Sequence, residues 1–101
     1  MVRFSFFAMV LLSACASDDP APAVYVSSCM PCHGGGLGGA PVTGDTDEWE
    51  RRTAKGIGTV HKNAINGLEG SAGVMPPKGG RQDLSDDEII ALVDYMIEAS
   101  R

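Results

Sequence analysis

A chain of 101 residues is enough for one domain, and a formal net charge of −5 argues against a nucleic-acid partner and against attraction to anionic lipid. An acidic surface suits basic docking partners, and it also simply keeps a small protein soluble. Cysteines number three, so one stands outside any pair.

The chain opens on a segment that is not part of the fold. Arg3 supplies a positive start, and Phe4 to Leu12 form an apolar stretch interrupted only by Ser5. That is the length of a signal-peptide core and too short to span a bilayer. The stretch ends Leu12-Ser13-Ala14-Cys15, which resembles the lipobox of bacterial lipoproteins. The resemblance implies a signal peptide over residues 1–14, cleavage before Cys15, and lipid on the Cys15 thiol. Ala14-Cys15-Ala16 also fits ordinary small-x-small cleavage, which would release a soluble protein starting at Ser17. Ala16 after the cysteine leans towards outer-membrane sorting within that resemblance, although Asp18 and Asp19 weaken the inference. In either case the protein is exported. Loss of the leader takes Arg3 with it and moves the formal charge from −5 to −6. The lipidated cysteine and a short tether then occupy residues 15–22, where the prolines favour an extended chain of about 3 Å per residue.

Residues 23–101 are expected to form one domain. It opens with a helical stretch from about Pro22 into Cys32, which contains Cys29-Met30-Pro31-Cys32-His33. This is the C-x-x-C-H pattern of covalent c-type haem attachment. Two thiols one helical turn apart can reach one side of a porphyrin and add to its two vinyl groups. A histidine directly after the second thiol is then held over the iron. Other uses of these cysteines fit less well. A thioredoxin-type pair wants a βαβ setting, and no strand pattern leads into Cys29. Zinc needs four ligands, and only Cys29, Cys32, His33 and His61 are on offer. A Cys29–Cys32 disulfide would close a tiny loop and restrain little.

A second helix is expected from Thr46 or Asp47 through Lys55, stopping at Gly56, with acids at its start and Arg51, Arg52 and Lys55 near its end. A third runs from about Thr59 to Asn66, with Ile57, Val60, Ala64 and Leu68 as its buried stripe. The last is announced by Ser85 and Glu88, a capping box, and carries Ile89, Leu92, Val93, Met96 and Ile97 on one face through Ala99. No strand is expected. Two glycine-rich loops, Gly34 to Gly39 and Gly67 to Gly80, are long for so small a domain, and wrapping a flat cofactor accounts for them. A domain this small without disulfides needs its cofactor as part of the core, so the chain without haem is expected to be largely unfolded.

An iron held by one histidine has a second axial position. Met75 is the strongest candidate, because Pro76 and Pro77 stiffen its loop and limit the entropy lost in fixing the thioether. Met30 lies inside the attachment turn, on the wrong side, and Met96 belongs to the core face of the last helix. His61 is the competitor. If neither bound, an open iron would suggest ligand sensing or peroxidase chemistry.

Cys29-x-x-Cys32-His33, then Gly39-Ala40-Pro41, then Trp49, then Met75-Pro76-Pro77, then a helix with Leu92 and Tyr95, together resemble a class I c-type cytochrome. The small bacterial cytochrome c-five group is the nearest match, over about Val24 to Ala99. The resemblance implies an all-α fold of about four helices around one covalent haem c. It implies thioether links at Cys29 and Cys32, with His33 as proximal and Met75 as distal ligand. It implies a Pro41 carbonyl accepting the His33 ring N–H, Trp49 and Arg52 near the haem propionates, and Tyr25 and Tyr95 where the first and last helices cross. Two features depart from the group. Some members carry a second cysteine pair just after the methionine loop, where this chain reads Gly79-Gly80-Arg81-Gln82-Asp83, and the loop before Met75 is longer than usual.

The function expected is a monohaem electron carrier, not an enzyme. It would be tethered by lipid to the periplasmic face of a bacterial membrane, exchange electrons with redox proteins and take no small-molecule substrate. The alternatives are a haem enzyme or sensor with a displaceable Met75, and a docking haem subunit of a larger oxidoreductase.

Overall fold

The computed structural model describes residues 21–101. The leader over residues 1–14, Cys15 and most of the tether lie outside the described residues. Five α-helices, two 3-10 turns and one small hairpin make up the fold.

The first helical stretch is divided. Helix α1 covers Ala23–Ser28 and α2 covers Met30–His33, with Cys29 between them. Pro31 is the cause: its missing N–H removes the bond that Ser27 would otherwise receive, so the helix expected from Pro22 into Cys32 bends at Cys29. Hydrogen bonds still run across the bend: the Cys29 N–H reaches Tyr25 O at 2.9 Å and the His33 N–H reaches Cys29 O at 2.9 Å.

Helix α3 spans Thr46–Thr53, and the Asp45 side chain caps it by accepting from the Glu48 N–H at 3.3 Å. Gly56, with φ 109°, turns the chain between α3 and α4. Because α4 starts directly after that turn, it covers Ile57–Asn66 and begins two residues before Thr59. Its stripe differs from expectation. Ala64 is buried, but Ile57 is 51% exposed, and Leu68 lies beyond the helix at 36%.

Leu68–Gly70 (β1) and Gly73–Met75 (β2) pair antiparallel, with Leu68 opposite Met75, across the two-residue turn Ser71-Ala72. This corrects the expectation of no strand. Three-residue strands are too short to show an alternating pattern. A 3-10 turn over Pro77–Gly80 follows, with Lys78 in the left-handed region at φ 54°.

Helix α5 runs Asp86–Ala99, and both bonds of the Ser85–Glu88 capping box form. Its apolar face, Ile89, Leu92, Val93, Met96 and Ile97, joins Tyr25, Trp49, Ala64 and Leu84 in the core. The Tyr25 and Tyr95 rings meet at 4.9 Å between centroids, tilted by 60°, and join α1 to α5. Ser100 ties the end of α5 to the loop after His33, accepting from the Gly44 N–H at 2.8 Å. No helix among the described residues is long and apolar enough to cross a membrane.

Candidate functional site

A cleft of about 470 Å³ opens between these elements, a size typical of small-molecule and cofactor sites. Cys29, Cys32, His33, Pro41, Trp49, Arg52 and Met75, far apart in sequence, all line it. Its floor is apolar, built from Val60 and Ala64 of α4 and from Ile89, Leu92, Val93 and Met96 of α5. The stripe of α4 therefore faces the cleft as much as it faces protein, which is why Val60 is only half-buried.

The His33 side of the cleft is built with the most constraint. The imidazole is 7% exposed, and Nδ1 lies 2.9 Å from the Pro41 carbonyl oxygen. A carbonyl can only accept, so Nδ1 carries the proton and Nε2 is left with a lone pair. Burial pushes the His33 pKa below its ordinary value and the nearby Arg52 charge adds to this, while the Pro41 bond opposes both. The ring is thereby kept neutral, the form that ligates a metal. The loop beneath it is pinned twice. The Thr43 N–H reaches His33 O at 2.7 Å, and the Tyr25 hydroxyl donates to Thr43 Oγ1 at 2.8 Å.

Cys29 is half-buried, Cys32 is exposed, and both are free thiols. Burial pushes the Cys29 pKa up, opposed by the charge of Arg81, with a smaller upward push from Cys32. No group of three or more histidine, cysteine or acidic side chains is arranged to hold a metal ion among the described residues, so the zinc alternative has no donor set there.

Trp49 stands with its ring centroid 6.1 Å from that of His33, and its indole N–H donates to the Val42 carbonyl at 2.9 Å. Its face therefore serves the cleft while its polar atom fixes the Pro41–Val42 strand of chain. Arg51, Arg52 and Lys55 gather at the cleft from the last turn of α3 and the residues after it. Glu48 orders the two arginines, with Arg51 Nη2 at 2.6 Å and Arg52 Nε at 2.7 Å. These bonds, Arg51 first, hold the Glu48 carboxyl at about 2. The contribution of Arg51 and Lys55 to the cleft, and that of Asn63 on α4, was missed from sequence. The spacing of Arg51, Arg52 and Lys55 on one helix flank was the available signal.

Met75 ends β2, half-buried against the core, with its side facing the cleft. Met30 is 47% exposed and does not line it, whereas Met96 is buried in the floor. His61 points elsewhere: its Nε2 meets Asp94 Oδ1 at 2.6 Å, linking α4 to α5 away from the cleft. Arg81 was also missed. It pairs with Asp83 at 2.9 Å and donates to Ser28 Oγ, beside Cys29.

Residues 16–96 match the family model described as cytochrome c oxidase, cbb3-type, subunit III. Cytochrome c-555 of Chlorobaculum tepidum is 40% identical over 79 residues, covering 78% of this chain and 73% of its own. Cytochrome c5 of Ectopseudomonas mendocina is 37% identical over 83 residues, covering 80% of this chain and 86% of its own. A chain from the crystal structure of an electron-transfer complex of nitrite reductase with cytochrome c superposes with a TM-score of 0.67 at 32% identity. That match covers 77% of this chain and 90% of the other.

Proposed function

The chain belongs to the c-type cytochromes, as a small class I member near the c5 group, and we propose that it carries electrons with a His33/Met75-ligated iron while tethered to a membrane by lipid. Membership makes it a small haem c electron carrier, and one covalent haem fits its size. The finer reading rests on one observation above all: Cys29, Cys32, His33 and Met75 line a single cleft.

When bound, the haem supplies one-electron chemistry between Fe(II) and Fe(III). The chain supplies the rest. Cys29 and Cys32 would hold the cofactor by thioether bonds, and Nε2 of His33 would bind iron, with Pro41 fixing the ring orientation through Nδ1. The Met75 sulfur would be the second protein ligand, a donor that favours the reduced state and raises the potential. Arg51, Arg52 and Lys55, which line the cleft, would pair with the cofactor's carboxylates, and the apolar floor would pack against its ring. With both residues held on it, iron would keep no place for a substrate, which supports transfer over catalysis.

The test is spectroscopic. The oxidised protein should show the weak sulfur-to-iron band in the far red, and Met75→Ala should remove it, lower the potential and open iron to carbon monoxide. His61→Ala should change none of these, because His61 is engaged with Asp94. Ready carbon monoxide binding by the unaltered protein at neutral pH would replace the carrier reading with a ligand-binding or peroxidatic one.

The tether reading is supported by Leu12-Ser13-Ala14-Cys15, and it places the protein at the periplasmic face of a bacterial membrane. Cys15→Ser should abolish lipid labelling and stop lipoprotein processing. A mature protein that begins at Ser17 with no acyl mass would make it a soluble periplasmic carrier instead. Its partners are redox proteins, as in the solved complex of a relative with nitrite reductase, and the net charge of −5 favours basic docking faces.

A further inference from the structure

The two glycine-rich loops touch one another. The 3-10 turn Leu37–Gly39 follows His33, and the hairpin turn precedes Met75; both line the cleft, and they meet through backbone atoms. Gly39, at φ +82°, sits so close to Ala72 that a Cβ there would fall inside the Ala72 carbonyl. Gly73, at φ +151°, is its counterpart, and a Cβ there would fall inside the Gly38 carbonyl. Only glycine allows this approach from both sides at these dihedrals. Not every glycine of these loops carries such a demand: a Cβ on Gly35 would meet nothing within 4 Å.

We propose that Gly38–Gly39 and Ala72–Gly73 form a backbone clasp that joins the histidine-bearing segment to the methionine-bearing segment, making Gly39 and Gly73 positioning residues for the iron ligands. Gly39 stands two residues before Pro41, whose carbonyl orients His33. Gly73 stands two residues before Met75 in the same strand. Displacement at the contact is therefore passed over two residues to each ligand side. Met75 is followed by the rigid Pro76-Pro77, so the clasp restrains the one side of the methionine that the prolines leave free. This inference rests on Met75 ligation, and the experiment separates the two.

In the reduced holoprotein, proton NMR should show Gly39 in contact with Ala72 and Gly73. Its absence overturns the clasp whatever the variants do, including the case where they fail to accumulate. Gly39→Ala should leave haem covalently bound but speed amide exchange at residues 71–75 by roughly tenfold, weaken the far-red band and admit carbon monoxide. Gly73→Ala should do the same and speed exchange at residues 37–40. Gly35→Ala should match the unaltered protein. Retained protection in the opposite loop in both variants overturns the clasp. Lost protection with an undiminished band, while Met75→Ala abolishes that band, overturns the positioning role and leaves ligation standing. An unaltered protein without the band, indifferent to Met75→Ala, overturns ligation itself and the positioning role with it.

Discussion

Tyr25 is almost wholly buried, yet its hydroxyl is satisfied by Thr43 Oγ1 at 2.8 Å, and Thr43 is the residue whose N–H holds the His33 carbonyl. The two ends of that bond are not equivalent. Tyr25→Phe leaves a half-buried threonine hydroxyl that water can reach, a loss of about 1 kcal/mol. Thr43→Val leaves a buried phenol with no acceptor, which costs roughly 1–3 kcal/mol. Denaturant unfolding of the holoprotein should therefore rank Thr43→Val as the more destabilising change, and the reverse order would show that the phenol finds another partner. The pair also marks what a sequence reveals at this scale. Cys29, Cys32 and His33 are legible because attachment chemistry dictates both residue type and spacing. The Thr43 partnership crosses 18 residues and leaves no local pattern, and the same holds for Arg81 beside Ser28, which are 53 apart.

Helix α5 is the element whose limits were most readable, because its start is written in four consecutive residues, Ser85 to Glu88, and its face in a regular repeat. Ser85 Oγ accepts from the Glu88 N–H at 3.1 Å and Glu88 Oε1 accepts from the Ser85 N–H at 3.1 Å, while Asp86 and Asp87 favour the positive end of the helix. Ser85→Ala should lower holoprotein stability by about 1 kcal/mol in a denaturant titration without shifting the optical spectrum, since the cap lies at the surface. A spectral change would mean that the start of α5 reports on the cleft. Elsewhere the local signals competed with one another. Pro31 interrupts a stretch in which Val24 and Tyr25 stand one turn before Ser28 and Cys29, so α1 and α2 read as one. The hairpin offers three residues per strand and a Ser71-Ala72 turn, neither of which is a strong strand or turn signal. It packs against the other loop through the Gly38–Gly73 and Gly39–Ala72 contacts, which are tertiary and leave no local pattern.

For the whole molecule, the arrangement of the core determines how folding and cofactor attachment are linked. Ile89, Leu92, Val93 and Met96 are among the best-buried residues of α5, and all four also border the cleft, as does Ala64 of α4. The main apolar face is thus shared between protein packing and the cofactor site, and no disulfide joins Cys29 to Cys32 as a substitute staple. A domain of this size buries too little surface to hold two long glycine-rich loops in place by protein contacts alone. His33 and the two thiols lie in or beside α2, Met75 ends the hairpin, and α5 borders the same cleft, so a cofactor held by all four residues would tie α2, the hairpin and α5 into one cooperative unit. A chain carrying Cys29→Ala and Cys32→Ala, exported in the same way, should therefore lose most of its helical circular dichroism and show no sharp thermal transition. The holoprotein should melt in a single cooperative step. A double variant that still unfolds sharply, with dispersed amide resonances, would show that the α4–α5 core and the Tyr25–Tyr95 contact are sufficient by themselves. The cofactor would then be a passenger in a fold that the protein completes alone.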